Sequence, residues 1–294
     1  VNFQKYYSKF SGLLFLGVLT TAVSAQKVEQ KPTVVTSSVQ KEITVAAGNN
    51  LYCAGYVQSL PVNTASKIVG AEDEREQKIY AEGDNLYINA GESQGVKVGD
   101  MFSVIRPHGR VDTRLSNKKN LGFYVQEVGA LEVIEVKPNV SVARVKNSCD
   151  NLLLGDLLQP VQQKTSPQFR ERPALDVFAG ASGKASGRIF LARGERELLG
   201  REQIVYIDLG AEDRVNVGDY LTVFRPLGKS GFFEKDDRGD FHDVSFPERD
   251  KETRRGLRKV VGEIVILDVK ERTATAMITR TAQEIHRGDW VELQ

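Results

Sequence analysis

Three histidines, two cysteines and one glycine-rich run are the first residues to weigh for chemistry. A metal site of the zinc type needs His or Cys ligands paired a few residues apart. His108, His242 and His286 stand at no such spacing from one another or from a cysteine. No Gly-x-Ser-x-Gly elbow and no His-Glu-x-x-His helix occurs, so nucleophilic and metalloprotease chemistry find no foothold here. The run 180–187, GASGKASG, has glycines near a lysine. A phosphate loop needs four residues between its glycines and a Ser or Thr directly after the lysine. Both are missing, and the run reads as a flexible approach to the next strand. Arg238-Gly239-Asp240 and Arg287-Gly288-Asp289 spell an adhesion tripeptide, which we read as coincidence. The expectation is no catalytic residue, no metal ligand and no cofactor.

The cysteines take their meaning from the N-terminus. Lys5 and Lys9 precede an apolar run at 13–23, and Val23-Ser24-Ala25 offers small residues for cleavage before Gln26. That is the layout of a secretory leader, 1–25, and the run is too short for a good membrane span. The expected location is exported: periplasmic first, otherwise outer-surface or secreted. In an oxidising compartment an even pair of cysteines implies a disulfide, Cys53–Cys149. The formal net charge of +1 gives no global field for nucleic acid or anionic membrane, and none is expected as a partner.

The elements that would hold such residues in place are strands. Residues 95–107 read GVKVGDMFSVIRP, and 214–226 read RVNVGDYLTVFRP. An offset of 119 aligns Tyr87 with Tyr206, Gly99-Asp100 with Gly218-Asp219, and Arg106-Pro107 with Arg225-Pro226. An offset of 133 lays VGALEVIEVK over VGEIVILDVK, and Gly155-Asp156 over Gly288-Asp289. A fixed-period match of this kind is the mark of an internal repeat. Each copy alternates apolar and polar residues in strand fashion, with hairpins turning at Pro138-Asn139 and Glu271-Arg272. A first strand is expected near 51–58 in one copy and in 187–192 in the other. The fold class is therefore all-β: a tandem duplication of a small, roughly six-stranded β-barrel.

The expected domains are a leader at 1–25, a flexible lead at 26–42, repeat 1 at 43–160 and repeat 2 at 174–294. A Pro-containing linker at 161–173 should separate two complete cores. Gly99, Asp100, Gly155, Asp156, Gly218, Asp219, Gly288 and Asp289 are expected to be structural turns. There Gly supplies backbone freedom and Asp bonds its own backbone two residues on. The two Val of Val-x-Val-Gly-Asp should face the core. Aligning the first strands puts Cys53 on Ala185, and the second offset puts Cys149 on Ala282. That would tie the first strand to the end of the hairpin. The insertion in repeat 2, 227–260, mixes Phe232, Phe233, Phe241 and Phe246 with Arg254 and Arg255. Aromatics and Arg are favoured interface anchors, so these are candidate partner-binding residues.

The pattern YIxxGxxxxVxVGDxFxVxRP, then VGxxxVxxVxxxxAxAxV and GDxVE, resembles the C-terminal domain of the flagellar assembly protein T family. It also resembles exported proteins of diderm bacteria, some carrying peptidoglycan-binding LysM modules. The resemblance covers roughly 83–160 and 202–294. It implies a non-catalytic binding or scaffold module of the cell envelope, with an envelope protein or peptidoglycan-associated partner. The competing expectation is a divergent exported hydrolase acting on cell-wall glycan, which would need paired carboxylates about 5–9.5 Å apart.

Overall fold

Alternating apolar residues with β-branched and aromatic enrichment dictate short strands, and Gly-Asp pairs mark where they turn. In the computed structural model, residues 43–227 and 257–294 are described. The leader, the lead up to residue 42, and the proposed anchors Phe232, Phe233, Phe241, Phe246, Arg254 and Arg255 lie outside the described residues. The first half carries β1 (Tyr56–Gln58), β2 (Ile68–Ala71), β3 (Asn85–Ile88), β4 (Met101–Arg110), β5 (Phe123–Val136), β6 (Ser141–Ser148) and β7 (Leu157–Pro160). The second carries β8 (Ser186–Ala192), β9 (Leu198–Leu199), β10 (Ile204–Ile207), β11 (Tyr220–Pro226), β12 (Arg258–Val269), β13 (Ala274–Thr281), β14 (Ile285–His286) and β15 (Trp290–Leu293).

The described residues are all-β apart from single helical turns. The second half closes into a six-stranded barrel, β10-β13-β12-β11-β15-β8. The first half forms a sheet in the order β2-β3-β6-β5-β4-β7, with β1 added to β5. Its edge strands meet through a Lys67–Leu157 bridge. Each half encloses an apolar core. Leu86, Ile88, Val104, Leu131 and Val145 anchor the first; Ile189, Ile207, Leu221, Ile264 and Ile278 anchor the second.

The five Gly-Asp corners among the described residues are the same turn. At 81–84, 97–100, 153–156, 216–219 and 286–289, the Asp amide donates to the carbonyl three residues back at 3.1–3.2 Å. The glycine sits at φ between +90° and +98°, and none of the residues before it has positive φ. That combination defines a type II turn, which calls for Gly at its third position. The Asp carboxylate then accepts from the amide three residues back: Ala81, Lys97, Leu153, Asn216 and His286, at 2.8–2.9 Å. The expected bond two residues on is therefore corrected: the side chain reaches backwards, across the mouth of the turn. The second Val of the motif is corrected too. Val96 and Val215 are buried, while Val98 and Val217 are exposed, because they occupy the outer corner of the turn and not a strand.

β4 runs on past Pro107 to Arg110, through an irregularity in its pairing with β5. One other expectation changes. The expected strand near 51–58 is present as β1, but it is not the counterpart of 187–192. Ile68 exchanges backbone bonds with Gly155 and Asp156, as Ile189 does with Gly288 and Asp289. The strand flanking β3 is therefore β2, while Tyr56–Gln58 lies against Phe123–Val125 of β5.

Candidate functional site

The Cys53–Cys149 disulfide is present, with Cα atoms 5.8 Å apart. Its setting differs from the expected one. Cys53 ends a helical turn, Asn49–Tyr52, ahead of β1, so the bond ties a strap and not the first barrel strand to the end of β6. The strap, residues 44–58, lies between the halves. Glu42–Gln294 form one compact unit, and a third apolar cluster crosses it. Ala46, Leu51, Ala54 and Val57 of the strap, with Leu121 and Tyr124, pack on Phe190, Ile204, Tyr206, Val265, Leu267 and Met277.

Backbone carbonyls of the strap accept from side chains of the second half. Tyr206 donates to Ala54 O at 2.7 Å, Thr275 to Gly55 O at 3.0 Å and Thr273 to Val57 O at 2.7 Å. Gly55 is needed here: a Cβ on it would fall 2.8 Å from the Tyr206 hydroxyl and 2.9 Å from Val125 O. The Gly55 amide donates to Glu127, a buried carboxylate that also pairs with Lys164. Tyr124 and Tyr206 meet edge to face at 5.1 Å. Burial, and then the neighbouring Tyr124, push the Tyr206 hydroxyl well above the ordinary tyrosine range. Burial also raises Tyr124. Both stay neutral as hydrogen-bonding groups at physiological pH. At the rim, Ser116 donates to Asp208 at 2.6 Å, and Lys118 pairs with Glu212 and Asp213 at 2.7 and 2.6 Å.

An open groove of about 750 Å³ runs along this seam. His108 lines it, stacked on Tyr124 at 5.1 Å with Gln126 at 2.7 Å from its Nε2. His286 lines it too, with Arg225 Nη2 2.8 Å from its Nδ1. Among the described residues, no group of three or more His, Cys, Asp or Glu converges to hold a metal. The glycine-rich run 180–187 gives the amides of Ser182 and Gly183 to the Glu292 carboxylate at 3.0 and 3.2 Å. The chain's own carboxylate therefore takes the donors that an anion would use.

The remaining corner residues do structural chemistry. Asp156 accepts two bonds from Arg106, at 2.9 and 2.8 Å. Asp289 accepts two from Arg225, at 2.7 and 2.8 Å. Asp100 and Asp219 serve their own turns. Residues 161–173 run beside both halves: Ser166 accepts from Ala46 N, Thr44 bridges Gln168, and Arg172 pairs with Glu263.

Residues 83–165 match the family model for flagellar assembly protein T, C-terminal domain. The match spans β3 to β7 and takes in Arg106, Asp156 and the Gly-Asp turns at 97–100 and 153–156. No curated protein matches the chain. Among the described residues, no helix is long and apolar enough to cross a membrane.

Reasoning from sequence missed the seam. The signal was a difference between the matched strands. From Gly129 to Ile134 β5 alternates buried and less buried residues, whereas Val260 to Leu267 of β12 is buried throughout. An unbroken buried run means that both faces of the strand are covered.

Proposed function

We propose that this chain is a non-catalytic, exported cell-envelope protein, a binding or scaffold module for a flagellum-like or other envelope assembly. The family match at 83–165 carries the reading. We further propose two tandem copies of one barrel, 43–160 and 174–294, joined by the Pro-containing segment 161–173. The Arg-Asp clamp at equivalent corners of both halves, and the parallel strand orders, support this. The periplasm is the proposed location; the leader-like N-terminus and a disulfide that needs an oxidising compartment support it.

A scaffold of this kind works through rigidity. Two apolar cores, one of them inside a closed barrel, and a covalently pinned strap hold surface loops at fixed separations, so that partner recognition costs little ordering entropy. The test is fractionation and cross-linking in cells that make the protein. The expected result is release with periplasmic contents, an intact disulfide, and cross-links to proteins of an envelope assembly. Recovery from the cytoplasm with free thiols would remove export, and an absence of cross-links to any envelope protein would remove the scaffold role.

A further inference from the structure

A cleft of about 500 Å³ lies between the 161–173 segment and the second half. Four arginines line it: Arg170, Arg172, Arg201 and Arg280. They face two carboxylates, Glu171 and Glu263. Glu263 is buried, and its oxygens are already engaged. Arg280 bonds both at 3.0 and 2.7 Å, Arg172 approaches at 2.9 Å and Gln294 at 3.1 Å. One carboxylate thus holds two guanidinium groups in place, and the Arg172 guanidinium stacks 4.4 Å over the ring of Tyr220. Arg170 and Arg201 are exposed and have no partner among the described residues. The cleft carries two positive charges in excess, while the whole chain has a formal net charge of only +1.

The same cleft has apolar surface. Phe169 lines it and is 55% exposed, and Leu175 lies beside it. Guanidinium groups bind carboxylates through paired N–H bonds, and Arg with exposed aromatics is the usual composition of a protein-binding hot spot. We propose that this cleft binds an acidic segment of a protein partner, with carboxylates on Arg170 and Arg201 and an apolar side chain against Phe169 and Leu175. This rests on the reading above that the partner is a protein, and it specifies which surface and which chemistry.

The test uses the purified chain and a labelled peptide with the sequence Glu-Phe-Glu-Glu-Leu-Glu, read by fluorescence anisotropy. Three controls accompany it: a peptide with Lys in place of Glu, one with Ala in place of Phe and Leu, and inorganic phosphate as competitor. The expected result is saturable binding of the acidic peptide that weakens as salt rises. The lysine peptide should not bind, and the alanine peptide should bind more weakly. Arg170→Glu with Arg201→Glu should lower the affinity at least about tenfold. Both side chains are exposed, so the melting midpoint should hold, and Phe169→Ala provides a second variant that leaves the charges in place. No binding, or binding that neither variant weakens, overturns the proposal. Equal affinity for the alanine peptide together with displacement by millimolar phosphate also overturns it, because the cleft would then be a general anion site. The measurement needs no envelope component, so binding without envelope cross-links in cells would sink the functional reading alone.

Discussion

Arg225 and Asp289 stand 64 residues apart in the chain and meet through two parallel N–H···O bonds of 2.7 and 2.8 Å. The Asp289 side chain is 3% exposed, and the same carboxylate accepts from the His286 amide of its own turn. One residue therefore shapes a corner and fastens it to β11. Arg106 and Asp156 repeat the arrangement in the first half. Arg225→Met leaves a buried carboxylate without its cation, a loss of about 3–5 kcal/mol. Denaturant unfolding should show it, and adding Asp289→Asn should recover part of the loss. Full additivity of the two changes would mean that the residues do not act as a pair.

The turn glycines give a second expectation. Gly99 and Gly218 sit at φ +91° and +90° with no close atom in the way. Substitution there is opposed by backbone strain and not by a clash. Gly99→Val or Gly218→Val should lower stability by about 1–2 kcal/mol. An unchanged melting midpoint in either variant would remove the turn assignment.

The disulfide closes a sequence separation of 96 residues. On the chain-entropy account a loop of that size contributes up to about 4.7 kcal/mol. Cys53→Ser with Cys149→Ser should lower stability within that range. Hydrogen exchange should quicken first in residues 44–58 and on the faces of β10 and β13 that they cover. Uniform quickening through both cores would mean that the bond does not act through the strap.

Acid should affect the second half in a definite direction. Burial opposes ionisation of Glu263, but hydrogen bonds from Arg280 and Gln294 and the charges of Arg172 and Arg280 outweigh it, holding the carboxyl below its ordinary range. Burial likewise opposes Glu292, which Ser182 N, Arg258 and Gly183 N pull down. A carboxyl depressed in the folded state stabilises above its unfolded pKa, about 4.3, and that contribution is lost as pH falls through the folded value. Stability should therefore drop below about pH 4, with a shallower acid slope in Glu263→Gln. An identical slope in the variant would show that the pair does not report on folding.

The seam alters the expectation for an isolated second half. Residues 174–294 alone would expose Phe190, Val265, Leu267 and Met277. That fragment should bind a hydrophobic dye and self-associate, and Val265→Glu with Met277→Arg should keep it monomeric. A native-like, monomeric fragment without those changes would show that the seam contributes little.

The choice of those two substitutions shows where the sequence stops being legible. Across β5, β6 and β3, Glu132, Arg144 and Asn85 form one cross-strand row. Across β12, β13 and β10, Val265, Met277 and Ile204 form the matching row. The likeness between the halves gave away most of the strands, the hairpins and the corners, because strand alternation and turn chemistry are local properties written every few residues. The cysteine pair was legible as a disulfide from its even count and a leader-like N-terminus.

The differences between the halves encode the seam, and their meaning depends on what covers each face. A strap with little apolar periodicity, 44–58, finds its place only when β5 gives it an edge, the disulfide fixes it, and Tyr206, Thr273 and Thr275 meet its carbonyls. The Arg225–Asp289 clamp was hidden for the same reason. Each residue is explicable alone, one beside a proline and the other as a turn carboxylate. Only closure of the barrel brings them within hydrogen-bonding distance, because contact between strands distant in sequence is set by register and closure and not by any local pattern.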